Sequence, residues 1–185
     1  MIEACAEAGV PLATCFPSRY LGAAKWTREL LEQGALGEIV YVRMVNLGEK
    51  KESYWTGGFS GRTPTEWRKS KRESGGGIVI TNLVHHLDLA RAITGLEVAR
   101  AYSEVATFAT EAEVEDIGLA SLRYENDAIA LVEGSSILWG GSDNSFQLTF
   151  LGTKGQVRFS LWGGKAEAYF TEAQGDLPAR EWVKR

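Results

Sequence analysis

The chain has 185 residues, with 20 Lys and Arg against 24 Asp and Glu and a hydrophobic share of 44%. That length fits one domain, or one and part of another, and that share supports a packed core rather than disorder. The net charge of −4 argues against a nucleic-acid partner, which usually meets a basic surplus or stripe.

Other classes fall away on pattern. Nothing approaches the ~20-residue apolar run of a membrane span. The first ten residues carry Glu3 and Glu7 where a secretion signal is basic and then apolar. Cys5 and Cys15 are too few for a disulfide scaffold, and their spacing is not that of a zinc knuckle. A soluble, cytoplasmic protein without a metal site is expected.

In chain order, Met1 to Gly9 reads as the end of a helix, with Ile2, Ala4, Cys5 and Ala8 apolar and Gly9 as the stop. Leu12-Ala-Thr-Cys-Phe16, closed by Pro17, reads as a short buried strand. A parallel strand needs neighbours, so residues 1–17 are expected to be the tail of a domain whose main part lies elsewhere. Gly22–Gln33 forms a helix, with Ala23, Trp26, Leu30 and Leu31 at helical spacing and Gly34 ending it. Ile39–Val45 is β-rich. Gly48 to Gly77 has no clear period, although Thr63-Pro64-Thr65-Glu66 carries the signals of a short helix running through Lys69. Asn82–Thr94 is a second complete helix, stopped by Gly95. From residue 98 onward the segments 98–108, 117–124, 128–136, 146–151, 156–161 and 165–171 read as strands joined by short turns. The expected fold is α+β: a large, mostly antiparallel sheet with helices on one face, preceded by the helix–strand unit.

Three places can carry chemistry. His85 and Asp88 are three apart and therefore neighbours on one helix surface. An acid there can orient the ring for acid–base work; otherwise one histidine is core and Asp88 is a surface charge. Adjacent histidines point about 100° apart, which disfavours zinc. Trp67-Arg68 can lie against a flat ring and grip a phosphate, or serve as anchor and solvated charge. Arg19, just beyond the expected strand, is placed to meet an anionic group. Neither Gly57-Gly58-Phe-Ser-Gly61 nor Gly75–Gly77 has the spacing or context of a dinucleotide or Walker loop. No GxSxG elbow occurs. Glu115-Asp116 reads as a turn and edge charge rather than a glycosidase pair.

Taken in order, the stretch Ala8–Tyr20, Leu30–Ile39, Trp67-Arg68, Gly75-Gly-Gly with His85-x-x-Asp88 and Gly95, Val114-Glu-Asp116 and Leu151-Gly-Thr-Lys-Gly155 resembles the Gfo/Idh/MocA oxidoreductases over residues 1 to about 160. The resemblance implies an N-terminal Rossmann domain binding NAD or NADP, and a C-terminal α+β domain whose sheet builds homo-oligomers. Residues 1–17 would then be a Rossmann remnant and 18–185 the substrate and oligomerisation domain. It implies hydride transfer at a CH–OH group of a sugar, polyol or cyclitol, with His85 catalytic, Thr81, Asn82 and Arg19 on the substrate, and Trp67 and Arg68 on the cofactor. Many members carry an Asp where Thr81 stands. The family's lysine and cofactor loop would precede Met1, and its closing helices would follow residue 185, so the chain alone is expected to be inactive. The alternative is a non-catalytic sugar-binding or oligomerisation module.

Overall fold

A computed structural model describes residues 1–57, 64–140, 145–162 and 165–185. Its centre is an eight-stranded sheet, counted among the described residues, in the order β2-β3-β4-β1-β5-β6-β7-β8. The strands are β1 (Ile39–Leu47), β2 (Val98–Ala106), β3 (Ile117–Tyr124), β4 (Ile129–Ser135), β5 (Phe146–Gly152), β6 (Gly155–Ser160), β7 (Ala166–Phe170) and β8 (Trp182–Lys184). All neighbours are antiparallel except β1 and β4, which run parallel with Met44 opposite Val132 and Asn46 opposite Gly134. The α+β architecture with a mostly antiparallel sheet is therefore as expected. Two features differ: the first strand occupies the middle of the sheet, and Trp182–Lys184 adds an edge strand that its three residues do not announce.

The helical segments are α1 (Ile2–Glu7), α2 (Gly22–Glu32), α3 (Glu52–Gly57), α4 (Lys71–Ser74) and α5 (Val84–Thr94). None of the helices among the described residues is long and apolar enough to cross a membrane. On β1, alternation sends Val42, Met44 and Asn46 to the helix-covered face. They join Leu148, Phe150, Val157, Phe159 and Phe170 from the neighbouring strands, with Trp26 and Leu30 of α2 and Leu89, Ala90 and Ile93 of α5 closing the core.

Two segments depart from the sequence expectation. Residues 10–16 form no strand; they run as exposed, irregular chain from α1 into a 3-10 turn, Pro17–Tyr20. Strand geometry depends on a ladder partner, and none of the described strands lies alongside them. The helix expected from Thr63 to Lys69 starts outside the described residues. Beyond it the chain is irregular to Glu66 and turns at Trp67–Lys69, with a helical turn only at Lys71–Ser74. Gly58–Gly61 also lies outside the described residues.

The approach of α5 to the sheet rests on glycine. A π turn, Val79–Leu83, leads into α5, and its side chains press on β3 and β4 where Gly118 and Gly134 are paired. A Cβ on Gly118 would meet Val79 Cγ2 at 2.7 Å, and one on Gly134 would meet Leu83 Cδ1 at 2.6 Å. Just before the turn, a Cβ on Gly77 would overlap the backbone carbonyl of Glu115.

Glu115 is the reason for that closeness. Its carbonyl accepts the Ile78 N–H at 3.0 Å, while its carboxylate accepts the N–H groups of Gly77 at 2.8 Å and Val79 at 3.1 Å. Three otherwise unpaired donors at a helix start are satisfied by one residue. Asp116 beside it is fully buried and accepts from the backbone N–H groups of Phe108, Ala109 and Thr110. The pair is thus a double anchor rather than an edge charge. Burial works to raise the Asp116 pKa, but its amide donors and the Thr110 hydroxyl outweigh that and hold it below the ordinary value.

The Gly152–Gly155 turn has a similar task. Its Thr153 and Lys154 N–H groups donate to the carbonyls of Glu38 and Leu36, which docks the hairpin on the loop that follows α2. Gly77→Ala is expected to lower unfolding stability by about 2–4 kcal/mol, as overpacking against backbone does. Gly9→Ala, at an open position, should cost under about 1–2 kcal/mol. Urea denaturation of the two variants checks the contrast.

Candidate active site

The end of β1, the π turn, the first turn of α5 and the 3-10 turn converge on a cavity of about 300 Å3. Its lining brings Pro17, Ser18 and Leu21 together with Asn46, Asn82, His85 and His86 and with Leu161 and Trp162. The local cause is the π turn. One extra residue in a helical turn widens it and rotates the residues beyond. Asn82, inside that turn, and His85, three residues on, both line the cavity.

His85 is half-buried. Its Nδ1 is sealed from solvent and has no hydrogen-bond partner among the described residues, while Phe16 meets the ring edge-on at 5.8 Å. Asp88 does not orient that ring. Its carboxylate instead binds Arg19 through two bonds, Nε to Oδ2 at 2.8 Å and Nη2 to Oδ1 at 2.5 Å. The Arg19 guanidinium also lies 5.7 Å from the Phe16 ring centroid. Arg19, Asp88 and Phe16 together strap the 3-10 turn to α5 beside His85. Arg19 is outside the cavity lining, with its charge engaged by Asp88.

Thr81 does not line the cavity either. Its hydroxyl lies 2.6 Å from the Gly77 carbonyl and 3.1 Å from Asn82 Oδ1, so it braces the π turn and the Asn82 amide. Trp67 and Arg68 form a separate patch, in which the Arg68 guanidinium sits 4.3 Å from the Trp67 ring and 4.9 Å from that of Tyr54. Lys50 Nζ approaches the same Tyr54 ring at 4.9 Å. Burial pushes the Lys50 ammonium pKa down. The patch can receive a flat ring or an anion.

Sequence reasoning did not single out Asn46, Trp162 or the character of His86. Asn46 had a signal, since it continues the inward alternation of Val42 and Met44 with a polar group. His86 is 2% exposed, and its ring nitrogens make no well-formed hydrogen bond among the described residues, although the Asn82 and Val45 carbonyls lie near enough to act on them. Burial pushes its pKa down to about 4; the Asn82 and Val45 carbonyls act the other way and neighbouring His85 adds slightly to the fall. It is a neutral, buried ring at the cavity's edge. Among the described residues no group of three or more metal-ligating side chains occurs.

Comparison with known proteins places the chain clearly. The family model of the GFO/IDH/MocA C-terminal domain matches residues 25–158. Myo-inositol 2-dehydrogenase of Thermotoga maritima is 25% identical over 184 residues, covering 97% of this chain and 50% of that protein. Among solved structures, the WlbA dehydrogenase from Bordetella pertussis, in complex with NADH and UDP-GlcNAcA, aligns at a TM-score of 0.71 with 27% identity, covering 85% of this chain and 46% of that one. Levoglucosan dehydrogenase, in complex with NADH and L-sorbose, aligns at 0.79 with 21% identity over 99% of this chain and 48% of its own, a likeness of fold. The chain spans about half the length of the relatives it matches.

The state of His86 has a consequence for stability. Its folded pKa of about 4 lies below the ordinary 6.5, so between those values the unfolded chain binds the extra proton. Stability from this group is intact above pH ~6.5 and falls by up to about 3 kcal/mol as pH drops through 4. His86→Leu is expected to flatten that slope and leave stability at pH 7 unchanged or higher, because a buried polar ring without a well-formed hydrogen bond is removed. Denaturation midpoints of wild type and variant between pH 7 and 4 test it.

Proposed function

This chain belongs to the Gfo/Idh/MocA family, its matched region being the C-terminal domain, and from that premise we propose that it is the substrate-side part of an NAD(P)-dependent oxidoreductase acting on a CH–OH group of a sugar or cyclitol. In this reading residues 18–185 form the substrate and oligomerisation domain and residues 1–17 belong to a cofactor-binding domain. The observation that carries it is the meeting of His85, Asn82 and Asn46 in one cavity beside an apolar wall. A polyol presents hydroxyls that need directed partners and C–H surface that needs none, and the cavity offers both.

The nicotinamide cofactor, when bound, supplies the hydride chemistry. The Trp67–Arg68 patch suits a flat ring and a phosphate, which is the chemistry such a cofactor presents. His85 takes the hydroxyl proton as the carbon is oxidised, and returns it in reduction. Asn82, braced by Thr81, fixes a neighbouring hydroxyl. The Arg19–Asp88 pair holds the strap that keeps the His85 ring in place. The sequence here carries no glycine-rich dinucleotide loop, so cofactor affinity is assigned to the preceding domain. Cys5 and Cys15, both unpaired, suit a reducing cytoplasm.

The protein expressed from its native locus, with any contiguous upstream reading frame, is expected to reduce NAD+ or NADP+ with a sugar or cyclitol. His85→Ala should lower that turnover by ~100-fold or more, the range for general acid–base catalysis. Unchanged turnover in His85→Ala would remove the histidine from the mechanism. The 185-residue chain alone should show no tight NADH binding by fluorescence titration.

The open face of the sheet supports a homo-oligomer. Leu119, Ile129, Leu131 and Leu151 each stay more than a third exposed there, beside the Arg43–Glu133 and Arg158–Glu167 ion pairs. An open sheet face carrying several exposed apolar side chains is often covered by a partner. Sedimentation velocity should find a dimer or larger species, and Leu131→Glu should shift it toward monomer.

A further inference from the structure

Trp162 is 74% exposed and yet lines the cavity that holds His85. A tryptophan in that position buries little of its own surface, so the core gives it no reason to be there. Nor is the ring loosely placed. Phe146 meets it edge-on, with centroids 5.9 Å apart and planes at 81°. Phe146 is in turn pressed on Gly48, where a Cβ would come within 2.9 Å of its ring. At the backbone, the Trp162 N–H donates to Ser160 Oγ at 3.3 Å. An exposed ring held by a packed neighbour is a prepared contact surface.

The same lining carries the polar side chains of Asn46, Asn82 and His85. A volume of about 300 Å3 stands at the lower end of the usual range for small-molecule sites, which suits a single ring. We propose that Trp162 is the stacking platform of the substrate site and that it selects cyclic substrates, a pyranose or a cyclitol, over acyclic alditols. The chemistry follows from shape. A six-membered polyol ring carries its axial C–H bonds in a rigid apolar face, which lies flat on an indole while the ring's hydroxyls meet those polar side chains. An open-chain polyol has the same hydroxyls but no fixed face, and it loses chain entropy on binding as well. Acting on substrate alone, Trp162 sets specificity and takes no part in proton transfer. This inference rests on the sugar-site reading of the cavity.

The test uses the 185-residue chain with methyl β-D-glucopyranoside, myo-inositol and D-glucitol as probes, followed by NMR. The chain has only two histidines, so ring signals assign simply, and the Trp162 indole signal is identified by its loss in Trp162→Phe. At least one cyclic probe is expected to shift both the His85 ring and the Trp162 indole signals. Trp162→Ala should weaken that probe roughly three- to tenfold, in line with the worth of an aromatic contact, and Trp162→Phe should recover most of it. Both variants should keep the wild-type melting temperature, since the ring is exposed. D-glucitol should bind the wild type at least several-fold more weakly and be indifferent to Trp162→Ala. The proposal is overturned if a cyclic probe shifts His85 while the Trp162 signal and the Trp162→Ala affinity stay unchanged. It is equally overturned if D-glucitol binds as well as the ring compounds, or if Trp162→Ala alters only the sedimentation state. If no probe moves the His85 ring, the sugar-site reading itself falls, and this inference with it.

Discussion

The close approach of a π turn to the paired glycines of two adjacent strands is the constraint on which the rest depends. Gly118 and Gly134 face each other across β3 and β4, and together they make a dent in the sheet that Val79 and Leu83 fill. Any side chain at either position would push the turn away from the sheet. Gly77 and Glu115 then hold the turn down, the first by letting two backbones touch and the second by accepting three N–H groups. Because interiors are close-packed, such a displacement would be felt along the whole of α5. His85 lies one helical turn beyond Asn82, so its position is set by this seating rather than by any bond to its own ring.

The histidine pair illustrates how one helix start yields two environments. Both rings border the cavity, but about 100° round the helix His85 is half-buried while His86 is sealed in the core. Burial keeps the second ring neutral down to a pH of about 4. If His85 acts as proposed, a neutral ring beside it adds no charge to repel the proton it takes up. Asp88, whose spacing suggests a partner for His85, instead neutralises Arg19 and ties the 3-10 turn to α5. The cavity's walls are therefore made by elements far apart in sequence, held by one ion pair, one aromatic edge and one glycine dent.

Much of this was legible in the residues, and the limits were physical. The strands from Val98 onward could be read because alternation and short turns are local signals. The central place of Ile39–Leu47, and its parallel pairing with β4, could not, since register and order are decided by distant partners. Leu12–Phe16 had the composition of a buried strand and forms none, because a strand exists only as part of a ladder. Glu115-Asp116 looked like surface charge, and only the arriving backbone of Gly77 and Phe108–Thr110 makes it an anchor. Trp162 carried no signal at all: an aromatic residue after a strand is ordinarily core, and its exposure is visible only once the sheet is built. Gly75–Gly77 lacks the context of a phosphate loop, and at Gly77 the close neighbour is the Glu115 backbone.

The central claim is that this packing presents His85 to a sugar or cyclitol while sequestering His86. The most direct measurement is a pH titration of the two imidazole rings by 15N NMR, with and without saturating myo-inositol or a methyl glycoside. The account predicts that one ring stays neutral to about pH 4 in both conditions, whereas the other has its signals altered by the ligand. A buried ring that takes up its proton well above pH 4, or a ligand effect confined to that ring, would contradict it.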